Sequence, residues 1–538
     1  MRVLGIEGTA WAASAAYFDS ETDEVFIESD PYQPDSGGIH PREAAEHMAG
    51  AIPAVIEVAL SEADSVDAVA FSRGPGLGPC LRIVASAARA LAQALDVPLV
   101  GVNHMVAHLE IGRHRSGFSN PVCLNASGAN AHVLGYHDGR YRVLGETMDT
   151  GVGNALDKFA RHLDWGHPGG PKIEERARGG EYIDLPYVVK GMDFSFSGVM
   201  SAAKDAVEAP STDNRNASGS GDAVDSGERI EDVCFSLQET VFAMLTEVAE
   251  RALSLTGSDE LVLGGGVGQN ARLRDMLETM CEARGASFYA PEPRFLRDNA
   301  GMIAVLGATM ADAGDTLEID ESRVDPNFRP DQVDVTWRGA ESVSRATTGE
   351  TEVIGAEAVV ELGEDVRKHR RPKTYRHPDL DVRLRRDRTA SEARLTGLAR
   401  RAGVPTPVIR DIDLREGTLV FEHVGEADLS AELTPERVRE LGRHLATLHD
   451  AGFVHGDPTP RNARVSDRRL YCIDFGLGYH TDEVEDYAMD LHVFEQSIAG
   501  TAADFEACVD AFEAGYRAVG DPAVIDQLRA IEGRGRYR

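Results

Sequence analysis

From about Glu318 to Glu350 the chain carries no sustained apolar periodicity and is rich in Asp, Arg, Ser, Thr and Gly. A stretch of that composition buries too little apolar surface to build a core. It therefore divides the 538-residue chain into two folding units, as a chain of this length requires. The expected organisation is a first domain over residues 1–325, a linker over 326–344 and a second domain over 345–538. A second polar stretch, Glu208 to Glu231 (EAPSTDNRNASGSGDAVDSGERIE), reads differently. Helical periodicity resumes at Val233 and runs through CFSLQETVFAMLTEVAERAL, so this stretch is an exposed insertion within the first domain.

Before the break, short β-rich runs at Val66–Ala70, Val100–Val102, Val122–Leu124 and Leu261–Leu263 alternate with alanine-rich helical stretches such as Arg82 to Leu95. That alternation argues for an α/β architecture with helices packed on mixed sheets. Glycine turns follow several of the strands: Gly74-Pro-Gly-Leu-Gly78, Ser127-Gly-Ala-Asn130 and Gly264-Gly-Gly-Val-Gly268. Glycine lets backbone amides approach an anion closely, and three such turns in one domain point to a phosphate-bearing ligand. After the break the order is strands first, near Glu352–Leu362 and Leu419–His423, then helices from Pro435 to Ala451 and a strand at Leu470–Ile473, as in a bilobal α+β domain.

The charge balance is 89 acidic against 55 basic residues, a net of -34 with a pI near 4.9. Spread along the chain, it makes a solvated, self-repelling surface and suits the salt-rich cytoplasm of a halophilic archaeon. Six cysteines without a CxxC pair exclude a zinc ribbon and a disulfide scaffold. The start of the chain lacks the layout of a secretion signal, and no apolar run is long enough for a bilayer, so a soluble cytoplasmic protein without membrane contact is expected.

In His104-Met-Val-Ala-His108 the imidazoles are four residues apart, so a helix sets both on one face within reach of one ion. Spacing alone favours two partly exposed helix histidines, and a third ligand is what shifts the balance. A candidate third ligand is Asp298, in Phe295-Leu-Arg-Asp-Asn-Ala-Gly before an apolar helix. A zinc protease of the HExxH type needs glutamate directly after the first histidine, and Met105 stands there.

The motifs Ile39-His-Pro-Arg-Glu-Ala-Ala, Gly74-Pro-Gly-Leu-Gly-Pro-Cys-Leu-Arg, His104-Met-Val-Ala-His, Ser127-Gly-Ala-Asn, Phe194-Ser-Phe-Ser-Gly-Val and Gly264-Gly-Gly-Val-Gly-Gln-Asn occur in this order. Together they resemble the tRNA threonylcarbamoyltransferase family, once called O-sialoglycoprotein endopeptidase, which supplies the catalytic subunit of the archaeal and eukaryotic KEOPS complex. The resemblance implies an actin/Hsp70-like two-lobed fold (ASKHA). It also implies transfer of threonylcarbamoyl from threonylcarbamoyl-AMP to N6 of adenosine 37 in tRNAs reading codons that begin with A. It carries over His104, His108 and Asp298 as ligands of one divalent metal, iron in preference to zinc. Substrate-binding positions implied in the same way are Asn125, Ala126, Ser127, Gly128, Ala129, Asp157, Gly170, Glu174 and Asn270. Asn125 stands where the family has a tyrosine that also touches the metal, and its amide oxygen is a weaker ligand than a phenolate; Ala129 replaces a family glycine.

In the second domain His455-Gly-Asp-Pro-Thr-Pro-Arg-Asn462 has the spacing of a kinase catalytic loop, and Ile473-Asp-Phe-Gly follows it. Asp457 is placed to accept a hydroxyl proton, and Asn462 with Asp474 to hold Mg-ATP. Lys368 is the candidate for the nucleotide phosphates, with Glu392 as its helix partner, and the phosphate-covering loop is Ile354, Gly355, Ala356, Glu357 and Ala358. That loop has one glycine, Gly456 replaces the usual arginine, and no Ala-Pro-Glu motif follows. Gly355-Ala-Glu-Ala, the run from Lys368 to Asp381, His455-Gly-Asp and the terminal Arg534-Gly-Arg-Tyr-Arg resemble the small atypical Ser/Thr kinase of the same KEOPS complex, which acts largely as an ATPase. Pro458-Thr-Pro-Arg461 departs from that family's usual Leu-Thr-Thr-Ser.

Binding of tRNA by so acidic a chain needs local basic patches, and the expected ones are Arg367 to Arg388 and the terminal Arg534, Arg536 and Arg538. Other KEOPS subunits are the expected protein partners. The rival readings are a metalloprotease and an Hsp70-like chaperone or sugar kinase with a kinase attached.

Overall fold

The structure is a computed structural model and describes residues 1–32, 40–137, 139–208, 226–339, 352–466, 469–498, 502 and 504–534. The chain forms two compact units, one of Met1–Val188 with Phe194–Ser344, the other of Val189–Asp193 with Arg345–Arg536.

The first unit holds two five-stranded sheets with the same topology. One runs Glu24–Pro31, Ala12–Asp19, Arg2–Glu7, Ala68–Gly74, Leu99–Asn103; the other runs Arg140–Glu146, Ala131–His137, Val122–Ala126, Glu260–Gly264, Ser287–Tyr289. In each, three antiparallel strands are extended by two parallel ones reached through helical crossovers. The first strand, Arg2–Glu7, is buried from Val3 onward, because helices cover both faces of its sheet.

Two helices bring the candidate metal ligands together. His104–Ser116 starts directly after the strand Leu99–Asn103, and the Asn103 side chain caps it by accepting from the N–H groups of Met105 and Val106. Ala300–Asp312 is buried on nearly all sides and is capped by Asn299, whose side chain accepts from Met302 N–H. The fit of that helix on the first sheet demands glycine: a Cβ at Gly5 would come 2.5 Å from the Ala300 carbonyl oxygen.

The segment expected to be a linker is, up to Gly339, part of the first unit. Val333 is buried, Phe328, Val335 and Trp337 pack against the same core, and Arg338 pairs with Glu110 at 2.9 Å, both nearly inaccessible. Alternation at residues 333, 335 and 337 gives an extended segment one apolar face, which is enough to dock it. Residues 340–344, most of the 208–231 insertion and Ile39 lie outside the described residues.

The second unit opens on an antiparallel sheet in the order Glu352–Ile354, Val359–Leu362, Asp365–His369, Thr418–Glu422, Ile409–Asp413. The long helix Pro378–Ala402 lies between the third and last strands in sequence. Helices Pro435–Asp450, Val484–Ile498 and Phe505–Arg517 follow, around a core that includes Leu445, Phe453, Phe475, Phe494 and Phe512. Three arginines of the basic run expected to meet tRNA are committed internally. Arg370, Arg376 and Arg388 are buried and paired with Glu392, Asp381 and Glu357. Buried guanidinium groups need such carboxylates. All six cysteines are free and buried. Among the described residues no helix is long and apolar enough to cross a membrane.

Candidate metal centre and nucleotide site

His104 is the first residue of its helix and His108 stands one turn on, so both rings project from one face. Asp298, in the turn before Ala300–Asp312, places Oδ1 3.4 Å from Nε2 of each histidine. The donor atoms of the three residues lie within 4.8 Å of one another. Burial alone would lower His104, but the Glu7 and Asp298 carboxylates on either side outweigh it and raise the ring to about 10. His108, one side of the cluster deeper, is lowered by burial. Burial works against the Asp298 carboxylate, yet the two imidazoles hold it well below the usual carboxylate range.

Glu7 is a residue that sequence reasoning missed. It ends the strand Arg2–Glu7, is fully buried, holds Nδ1 of His104 at 3.1 Å with one oxygen and accepts the Thr9 N–H at 2.7 Å with the other. A carboxylate on the far nitrogen of a ligating imidazole fixes its tautomer and orientation.

Asn125 lies on the strand Val122–Ala126, opposite His132 across the hairpin. Its Nδ2 faces His132 Nε2 at 3.4 Å, and its Oδ1 is buried without a hydrogen-bond partner among the described residues. A methyl placed on Gly264 would touch both, 3.5 Å from His108 Cβ and 3.6 Å from Asn125 Oδ1, so the two side chains share the space that this glycine leaves. The donor set therefore fits a cation: two imidazoles, one carboxylate and an orphaned amide oxygen beside them. Burial pushes the His132 ring down to about 3, which keeps it neutral.

The turn after Asn125 and Ala126 is tight. Ser127 Oγ donates to the Asn130 carbonyl at 2.9 Å, and the Asn130 N–H returns to Ser127 Oγ at 3.1 Å. Gly128 and Ala129 are pressed by the next segment, since a Cβ on Gly151 would lie 2.4 Å from Gly128 O. Asp157 Oδ1 accepts the Gly169 N–H at 2.7 Å, and its Oδ2 meets His167 Nδ1 at 3.0 Å. Gly170 begins the helix Gly170–Ala177, from which Glu174 accepts the Ala271 N–H at 3.0 Å. Asn270 caps the helix Ala271–Arg284 and donates Nδ2 to Gln238 at 3.1 Å, so its amide has structural work. Trp11 stacks on His167 with ring centroids 4.8 Å apart and planes 6° off parallel. Trp11 follows the first strand in sequence and nothing in its spacing marks it as a partner of His167.

In the second unit Lys368 is buried and reaches both oxygens of Glu392 at 3.0 Å and Asp474 Oδ1 at 2.6 Å. Burial would raise Asp474, but Lys368 and Arg370 hold it low. Asp474 has φ of 64°, a left-handed backbone uncommon outside glycine. Asn462 Nδ2 donates to the Asp457 carbonyl at 2.8 Å and to Asp457 Oδ2 at 2.9 Å. Asp490, unmarked by any motif, accepts the backbone N–H groups of His455 at 2.7 Å and Gly456 at 2.8 Å. It thereby anchors the loop that carries Asp457. In the turn from Ile354 to Ala358, Gly355 N–H donates to Ala358 O at 2.9 Å, with Ala356 between them, and Glu357 faces Arg388 at 3.1 Å. Arg534 ends the last helix, whereas Arg536 and Arg538 lie outside the described residues.

Residues 22–305 match the family model described as TsaD: tRNA N6-adenosine threonylcarbamoyltransferase. Over its whole length the chain is 69% identical to a protein of Halobacterium salinarum, covering 99% of that protein, and 65% identical to one of Haloquadratum walsbyi, covering all of it. A protein of Methanospirillum hungatei is 52% identical over 99% of both chains. All three carry the name "Probable bifunctional tRNA threonylcarbamoyladenosine biosynthesis protein".

The chain belongs to this bifunctional tRNA threonylcarbamoyladenosine biosynthesis family.

The family model stops before the second unit, so the transferase identity falls on the unit that holds His104, His108 and Asp298.

Proposed function

We propose that the first unit moves a threonylcarbamoyl group from threonylcarbamoyl-AMP to N6 of adenosine 37 in tRNAs that read codons beginning with A, as the catalytic part of a KEOPS complex in the cytoplasm. The observation that carries this reading is the convergence of His104, His108 and Asp298 in a chain of this family. Its duplicated sheets support an actin/Hsp70-like fold. His104, His108, Asp298 and Asn125 would hold one divalent ion, iron in preference to zinc. Such an ion supplies Lewis acidity to an acyl oxygen.

The chain's own residues do the rest. In the turn Ser127–Asn130 the N–H groups of Ser127 and Asn130 are spent within the turn, which leaves Gly128 and Ala129 as its proposed donors. Asp157, Gly170, Glu174 and the helix cap Asn270 are further proposed substrate contacts. In the transfer, N6 attacks the carbamoyl carbon, the new C–N bond forms as the bond to the phosphate oxygen breaks, N6 loses a proton and AMP leaves. The second unit is read as an atypical Ser/Thr kinase acting chiefly as an ATPase. Lys368, Glu392, Asn462 and Asp474, under the turn Ile354–Ala358, would hold Mg-ATP, with Asp457 as base. Arg534, Arg536 and Arg538 are the proposed tRNA contacts.

The test supplies threonylcarbamoyl-AMP, tRNA and the partner subunits and measures the modified nucleoside by mass spectrometry. His108→Ala is expected to abolish product. Undiminished transfer by that variant overturns the role of the histidine site.

A further inference from the structure

We propose that His132 is a positioning residue that locks the Asn125 amide with its oxygen turned towards the metal ligands. The inference rests on the metal-site reading above and adds a residue to it.

An asparagine amide has two nearly isosteric ends of opposite character, a carbonyl acceptor and an NH2 donor. Only the oxygen can bind a cation; the NH2 end would repel one. A buried asparagine beside a metal therefore needs something that decides which end faces in. Asn125 and His132 are directly opposed on adjacent antiparallel strands, both buried, with Nδ2 and Nε2 3.4 Å apart. A ring nitrogen that accepts from the NH2 end leaves Oδ1 at the other end. That oxygen is buried without a hydrogen-bond partner among the described residues, and a Cβ built on Gly264 would lie 3.6 Å from it and 3.5 Å from His108 Cβ. Leaving a buried carbonyl oxygen unpaired is costly unless a ligand completes it.

The experiment titrates metal-free protein with Co²⁺, following visible absorption of the bound ion and chelator competition. It compares wild type with His132→Leu, Asn125→Asp and the double variant. Aspartate has two equivalent oxygens and cannot be turned the wrong way. The expected result is that His132→Leu weakens Co²⁺ about tenfold or more and changes its absorption, while the same change in the Asn125→Asp background does neither. Retained binding by the double variant also shows that leucine at 132 leaves the fold intact. An equal loss in both backgrounds, or none in either, overturns the proposal while leaving the metal site standing. Failure of Asn125→Asp to bind overturns the claim that an oxygen is wanted there. Failure of wild type to bind Co²⁺ removes the metal reading and the proposal with it.

Discussion

Glu7 holds Nδ1 of His104 at 3.1 Å from a position with no solvent exposure, 97 residues earlier in the chain. The contact ties the end of the first strand to the start of the ligand helix. It leaves Nε2 of His104 free to face Asp298.

Replacing that carboxylate by an amide keeps the shape and removes the charge. Glu7→Gln is expected to weaken divalent-metal affinity by about 10–100-fold, read by chelator competition. Transfer activity at limiting metal should fall in parallel and recover at excess metal. Unchanged affinity would show that Asp298 alone orients His104.

Arg338 places its guanidinium 2.9 Å from Glu110 and over the Tyr136 ring, 3.9 Å from its centroid. Both charges are buried, and truncating the arginine leaves the Glu110 carboxylate with Arg113 at 2.7 Å and the Tyr141 hydroxyl at 2.8 Å. With those partners retained, Arg338→Ala is expected to cost about 1.5–3 kcal/mol, the range of a hydrogen bond to a charged group, in chemical denaturation of the first unit. A chain cut at residue 325 should be destabilised at least as much. A loss below about 1 kcal/mol, the range of exposed ion pairs, would return the segment to the status of linker.

His104 and His108 are readable from sequence because helix geometry converts a spacing of four into a shared face. Asp298 is readable as a turn residue before an apolar helix, although its approach to the pair needs the fold. Glu7 is not readable, because no local pattern links the end of one strand to a helix nearly a hundred residues away. His132 lies between these cases. Taking Ser127–Asn130 as a four-residue hairpin turn sets Asn125 opposite His132 by counting outward, so strand register carried the signal. The docked segment at 328–338 escapes notice because its apolar residues are few and its period is short. Arg370, Arg376 and Arg388 show the converse: a basic run reads as a phosphate surface, while tertiary structure turns these three inward to carboxylates.

His455 is buried, donates Nε2 to the Ile473 carbonyl at 3.0 Å and packs on Phe475. Burial lowers its ring below the ordinary histidine value despite Asp490 and Asp474 nearby. The unfolded chain therefore takes up a proton near pH ~6.5 that the folded chain resists. This contribution to stability is fully present above the unfolded value and is lost as pH falls towards the folded one. His455→Gln should remove part of that dependence, so the difference in Tm between wild type and variant narrows on going from pH ~7.5 to ~5.5. A constant difference across that window would show that His455 does not titrate on unfolding.

Lys368 and Asp474 share one contact at 2.6 Å but differ in what each leaves behind. Glu392 and Asp474 both depend on Lys368, and Glu392 is buried. Lys368→Met therefore strands a buried carboxylate, with Arg370 as its remaining cation, and is expected to lower both stability and ATP hydrolysis. Asp474→Asn leaves the Lys368–Glu392 pair intact on the less buried side of the triad. It should abolish ATP hydrolysis with a change in unfolding free energy below about 1 kcal/mol. The pair of variants separates chemistry from folding: thermal unfolding should move for Lys368→Met and stay for Asp474→Asn, while phosphate release should fall in both. Persisting hydrolysis in Asp474→Asn would place nucleotide consumption in the first unit. The triad would then be a structural ion network in the second.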